Sequence, residues 1–306
     1  MGILAGSSVH LSWSIESDLH QLFEFHFMVN ALRAATITAV VAGAAGWFVV
    51  LRRQAFAGHT LSIASFPGAA GATWLGISAA WGYFGFCLAA AVVIGLIPYS
   101  DDRRGFSEEP AIVAVVQAFA LALGFLFVML YKGFLGGLDS LLFGTFLGVT
   151  DHQVLVLAGV GTAAVLALAA IGRPLLFASV DPAVAGAASV PVRAVSLIFI
   201  IVLGVAVAEA SQITGALLVF ALLVMPAGAA QQLTARPARG LVLSVVIGLV
   251  VVWLGLGVSY FSIYPSGFFI TTFGFAAYLL AVGTRHLLDR VGGPRTIRTG
   301  LEAVAA

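Results

Sequence analysis

The chain has 306 residues, of which 61% are hydrophobic and 9% charged, with a formal net charge of +1. A soluble domain carries about 25% charged residues, so this composition excludes soluble enzymes, nucleic-acid binders and disordered proteins and points to an all-α, polytopic membrane protein in a lipid bilayer. The near-zero net charge gives no whole-molecule field for an anionic partner, and the single cysteine, Cys87, excludes a disulfide framework or a cysteine-rich metal site.

In chain order, residues 1–28 hold Glu16, Asp18 and Glu24 with no basic stretch ahead of an apolar core, so no cleavable signal is expected and the first span does the targeting. His10, Glu16, Asp18, His20, Glu24 and His26 are metal-capable, but their spacing matches no structural zinc site; Glu16, His20 and Glu24 equally make the polar side of an interfacial helix. Nine apolar runs follow, at 34–51, 60–78, 82–98, 111–131, 154–171, 194–208, 215–230, 241–260 and 268–282. A helix rising 1.5 Å per residue needs roughly 20 residues to cross about 30 Å of hydrocarbon, which gives about eight or nine spans. The pair 194–208 and 215–230 is short and glycine-interrupted, and reads either as two short spans or as a re-entrant hairpin. The expected organisation is an extracytoplasmic segment 1–33, a transmembrane domain 34–284 and a cytoplasmic tail 285–306.

Basic residues set the orientation, because cytoplasmic loops are enriched in Lys and Arg. With Arg52 and Arg53 inside, alternation of the spans places 12 of the 14 basic residues inside and only Arg33 and Lys132 outside. The N-terminus is therefore expected outside and the C-terminus inside. No GxxxxGK[ST] phosphate loop occurs, so any use of ATP falls to another chain.

Ionisable groups inside a bilayer cost about 2.5–3.5 kcal/mol each at its centre and are functional candidates for that reason. His59 stands at the start of the second run, and Ser62 and Phe66 share its helical face. A neutral imidazole facing a pathway suits a borderline divalent cation, with Ser62 and Ser65 as hydroxyl neighbours; an interfacial histidine bonded to a backbone carbonyl is the alternative. Glu209 and Gln212 lie between the two short runs, as a polar lining or as a wet outer turn. Asp139, Asp151 and His152 occupy the outer loop 132–153, where they receive cations or are simply solvated. Gly43, Gly46, Gly68 and Gly71 read as close-packing sites between helices. Asp181 followed by Pro182 is an N-cap with proline at N1, and opens a short helix through Ala183, Val184 and Ala185 that is expected to close at Gly186. Its exposed alanines and glycine suit a groove on a partner; a connecting loop that happens to cap well is the alternative.

Four stretches, 48–62, Asp139 to Gly144, Asp181 to Gly186 and 215–227, resemble in sequence and order the zinc/manganese/iron-type ABC importer permeases. The resemblance implies a permease subunit of an ATP-driven importer of a divalent metal ion in a bacterial cytoplasmic membrane. It further implies a homodimer around one path, a separate ATP-binding subunit that hydrolyses the ATP, and an extracytoplasmic metal-binding protein; the chain itself holds no cofactor. Asp181, Pro182, Ala185 and Gly186 correspond to the helix that couples to the ATPase. His59 matches the first of two metal-ligand positions, and Ile63 stands at the second, where the family usually has histidine. An ATP-independent secondary transporter or channel is the other class, whose expected mid-membrane cluster of charged residues the sequence lacks.

Overall fold

The computed structural model describes residues 23–96, 109–131, 144, 148–262 and 264–291. Among these, every regular element is helical: α1 (His26–Leu51), α2 (Ala55–Trp74), α3 (Ala79–Leu96), α4 (Glu109–Leu130), α5 (Asp151–Val180), α6 (Pro182–Ala187), α7 (Val192–Leu233), α8 (Pro237–Tyr260) and α9 (Ser266–Val291). Seven helical segments are long and apolar enough to cross a membrane, and Leu218–Leu233 is a shorter apolar helix. The 20-residue α2 is not among the seven, because His59, its hydroxyls and its glycines dilute its apolar character.

Several helices run past their apolar runs. The first begins at His26, within the segment expected to precede the membrane, and α9 continues through Arg285 and Arg290, within the expected tail. Polar residues at these ends find partners without leaving helical geometry: Asn30 bonds across to α5, and Arg285 donates to Gln232 at 2.9 Å. Hydropathy marks the part of a helix that needs burial, whereas hydrogen bonding decides where it stops.

The centre of the bundle is α1 and α7. Helix α1 packs on α5, α7 and α8, and α7 also meets α2, α3 and α9. Close approach rests on glycine. A Cβ at Gly68 of α2 would collide with the Gly82 carbonyl of α3, and one at Gly82 with the Gly68 carbonyl. Gly43 faces the α8 backbone at Ser244 and Val245, Gly46 the Leu223 backbone, and Gly71 the Phe127 ring. The expected small-residue packing holds at all four positions. Ser244 adds a bond at one of these contacts, donating to the Gly43 carbonyl at 2.8 Å.

Helix α7 joins the short pair, and its first 25 residues, Val192–Ala216, are long and apolar enough to cross a membrane. It is broken at Gly215, whose φ of 73° and ψ of 163° lie outside helical space. Contacts along α1 show that the chain doubles back there. In the first arm Ser196 bonds Arg52 at the end of α1, and Glu209 lies level with Ile37 and Val41. In the second arm Leu223 packs on Gly46, and Gln231 donates to the Trp47 carbonyl at 3.0 Å. The arms thus form a hairpin that leaves and returns at the same end of the bundle. The reversal is at Gly215, so residues 209–212 are helix interior, and the outer-turn reading of Glu209 and Gln212 does not hold. Only glycine occupies the Gly215 conformation readily.

Candidate functional site

Among the described residues, three helix ends are closed by the same pair of backbone bonds. At the α1–α2 corner Arg53 N–H donates to the Val50 carbonyl and Gln54 N–H to the Val49 carbonyl, with Arg53 in the left-handed region at φ 57°. Equivalent pairs close α2 at Gly76 and α6 at Ser189, which has φ 62°. The short helix therefore runs to Ala187 and is closed at Ser189, three residues beyond the expected Gly186. A glycine is not obligatory when both bonds can form; an L-residue there costs about 1–3 kcal/mol.

The corner starts α2, whose polar residues are mostly buried. His59 is half-buried, its Nδ1 is enclosed without a hydrogen-bond partner, and its ring lies 4.7 Å from that of Phe220 on the second α7 arm. One turn on, the fully enclosed Ser62 hydroxyl donates to the Ala216 carbonyl, next to the hairpin reversal. Ser65 donates to the Ser62 carbonyl at 2.6 Å, and Thr60 to Gln117 of α4 at 3.0 Å. The hydroxyls of Ser62 and Ser65 are thus committed within the protein, and the imidazole is the polar group of this face left with an open position. Pro67 lies inside α2 and has no N–H, so the Ile63 carbonyl lacks its helical partner.

Glu209 is brought to a different place. It is 0% exposed, neither carboxyl oxygen has a hydrogen-bond partner, and it faces α5 and α1: a Cβ at Gly161 would come within 2.8 Å of its Oε1 and about as near to Ile37 and Val41. Ser211, two residues on, also buries an unpartnered hydroxyl. His59 and Glu209 are not bonded to each other, and among the described residues no three of His, Cys, Asp and Glu assemble into a group able to hold a metal ion. Asp139 lies outside the described residues, as do His10, Glu16, Asp18 and His20.

At the end of the bundle opposite Arg52, His26 meets Asp151 at 3.0 Å, and Asn30 donates to the other carboxylate oxygen at 3.0 Å. Sequence reasoning missed this pairing. Its one available signal was that α1 and α5 both begin at that end. Thr150 and Gln153 complete a reciprocal cap on α5 beside it.

At the opposite end, Asp181 caps α6 as expected, accepting from the N–H groups of Ala183 at 3.1 Å and Val184 at 3.0 Å, with Pro182 in the first turn. Gly186, Ala183 and Val184 are exposed, but Ala185 is fully buried. The helix therefore anchors on Ala185 and presents its other side outward. Next to it lies a fork that sequence reasoning did not single out. Arg52 donates from Nη1 to Ser179 at 3.2 Å, from Nη2 to Ser196 at 2.8 Å and from Nε to Gln54 at 3.0 Å, with its guanidinium carbon 5.5 Å from the Phe199 ring centre.

The profile of the ABC 3 transport family matches residues 24–285, nearly the whole described bundle. The chain belongs to the ABC 3 transport family. Among its relatives in this family, it is 33% identical over 239 residues to the manganese import system permease protein ScaB of Streptococcus parasanguinis, covering 78% of this chain and 84% of that one. It is 29% identical over 249 residues to the chelated iron transport system membrane protein YfeC of Yersinia pestis, covering 81% and 82%. The structure of PsaBC from Streptococcus pneumoniae in complex with Fab superposes with a TM-score of 0.79 at 27% identity, over 91% of this chain and all of that one. The resemblance carried by the four motifs is thereby upheld. As an ABC 3 family member the chain is a multi-pass membrane permease, a transport subunit and not an enzyme.

Proposed function

We propose that this chain is the membrane-spanning subunit of an ATP-driven importer that carries a divalent metal ion, of the manganese, iron or zinc kind, into a bacterial cytoplasm. Two copies would enclose one path, a separate subunit would bind and hydrolyse ATP against α6, and an extracytoplasmic metal-binding protein would deliver the ion. Family membership and the relatives' metal-transport names support the class of cargo. Within this chain the reading rests on one observation above all: α2, a long helix not apolar enough to count as a membrane span, is largely buried, and it holds an imidazole with an open nitrogen against a broken helix.

A lone imidazole binds a divalent ion weakly, which suits a path better than a store, because transit needs sites that release what they take up. His59, Ser62 and Ser65 form the path segment on α2, and Glu209 a separate buried carboxyl on the α1–α5 side. The arginine-bearing end, with Arg52, Arg193, Arg236, Arg239 and Arg285, is the cytoplasmic one by the distribution of basic charge. On this reading the N-terminus is outside, the C-terminus inside, and α6 lies where an ATPase can reach it through Asp181, Pro182 and Gly186, anchored by Ala185.

The test is metal uptake into proteoliposomes holding the complete transporter, with His59→Ala against the parent. Uptake at sub-saturating manganese or zinc falls by about tenfold or more, the loss of one ligand bond, while the ATPase subunit still co-purifies. Unchanged uptake removes His59 from the path.

A further inference from the structure

We propose that Arg52 is the positioning residue through which movement of the α6 segment reaches α2. This rests on the importer reading above and names the route by which the partner's work would reach the path.

Helix α6 has six residues and buries one of them, Ala185, so it is too short to act on the path by its own length. What moves with it are its two flanks, the last turn of α5 and the first turns of α7. Each flank presents one hydroxyl to the same guanidinium, Ser179 from α5 and Ser196 from α7. The Ser179 hydroxyl proton is donated to the Leu175 carbonyl, which leaves its lone pairs for Arg52. The third bond, from Nε to Gln54, ties the guanidinium to the residue that precedes α2. Phe199 of α7, fully buried, lies against the guanidinium.

Arg52 is thus the cap residue at the end of α1, bonded forward to the residue that opens α2 and sideways to both flanks of α6. The intervening Arg53 is locked at φ 57° by the corner's backbone bonds. A corner closed in this way transmits displacement as a unit. His59 lies five residues beyond Gln54, about 8 Å along the helix axis at 1.5 Å per residue. A planar guanidinium with diverging N–H groups can hold three partners in fixed relation; an ammonium, a point charge on a flexible stem, cannot. The prediction therefore concerns fork geometry rather than positive charge.

The experiment uses the assembled transporter in proteoliposomes and reads metal ions taken up per ATP hydrolysed. Two independent changes are compared with the parent: Arg52→Lys, and the pair Ser179→Ala with Ser196→Ala, which leaves the arginine in place. In both, the ATPase subunit co-purifies and its ATP turnover stays within about twofold of the parent, while uptake per ATP falls by about tenfold, a typical size for a lost coupling between sites. A purely structural role lowers assembly, turnover and uptake together and leaves the ratio unchanged; that result overturns the proposal, as does full coupling in either variant. Failure of both variants to assemble also makes the fork structural and overturns it. If the parent complex shows no ATP-dependent metal uptake, the importer reading itself falls, an outcome distinct from an unchanged ratio in a working parent.

Discussion

Replacing Gly215 with alanine tests whether the reversal in α7 is as specific as its dihedrals imply. At φ 73° and ψ 163° the residue sits where side-chain-bearing residues are almost never found, and holding alanine there costs about 1–3 kcal/mol. Gly144 closes over this turn, and a Cβ on Gly144 would collide with the Ile213 carbonyl, so the hairpin has little room to relax into another conformation. Taking about 2 kcal/mol, the ratio of folded to unfolded chains falls about 30-fold. At about 2–4 °C per kcal/mol for a chain approaching this length, the melting temperature drops by about 4–8 °C. The assay is thermal unfolding of the purified protein in detergent, followed by the fluorescence of its five tryptophans. Gly85→Ala is the control, because Gly85 is in the interior of α3 with nothing within 4 Å of its would-be Cβ; alanine there gains about 0.5–1 kcal/mol. If Gly215→Ala melts with the parent, the reversal does not depend on glycine and the reasoning fails.

Two further outcomes follow from contacts already described. Gly68→Ala and Gly82→Ala each force α2 and α3 apart and cost about 1–3 kcal/mol, but the double variant costs less than the sum, because one separation relieves both collisions; additive melting shifts would argue against a shared contact. Asp181→Ala removes the acceptor of two N–H groups at the start of α6, worth about 1 kcal/mol of local helix stability. The ATPase subunit then binds several-fold more weakly in a titration, and Asp181→Asn, which keeps an oxygen at the cap, restores most of that binding.

How much of this was readable beforehand differs by the physics involved. Each of the nine apolar runs falls on a helix among the described residues, although the run 60–78 outlasts α2 at Trp74, because burial in hydrocarbon is a property of consecutive residues and shows directly in composition. The α6 cap was equally legible, since Asp181 and Pro182 act on backbone groups two and three residues away. Helix ends were placed poorly: His26, Asn30 and Arg285 remain helical through partners more than fifty residues distant, at Asp151 and Gln232. Gly215 was visible as a glycine but not as the point of reversal, because several glycines interrupt the same stretch and only packing against α1 distinguishes them. Glu209 reads equally as a polar lining or an outer turn for the same reason; its burial depends on Gly161 in another helix leaving space for it. The Arg52 fork was hidden because arginines near a span end are common, and the serines that receive it are 127 and 144 positions away.

The doubling-back of α7 has a bearing on topology. Among the described residues, a 42-residue segment that re-emerges at the end it entered adds no net passage along the bundle, so the other seven long helices, an odd number, decide at which end the chain finishes. The ring of Phe25, just ahead of α1, lies 6.4 Å from that of Tyr260 at the end of α8 and tilted by 44°, and Arg285 in α9 reaches Gln232 at the arginine-bearing end. The described chain therefore begins and finishes at opposite ends of the bundle, and a reading that counted both arms of α7 by hydropathy would arrive at the same parity while misplacing the turn between them.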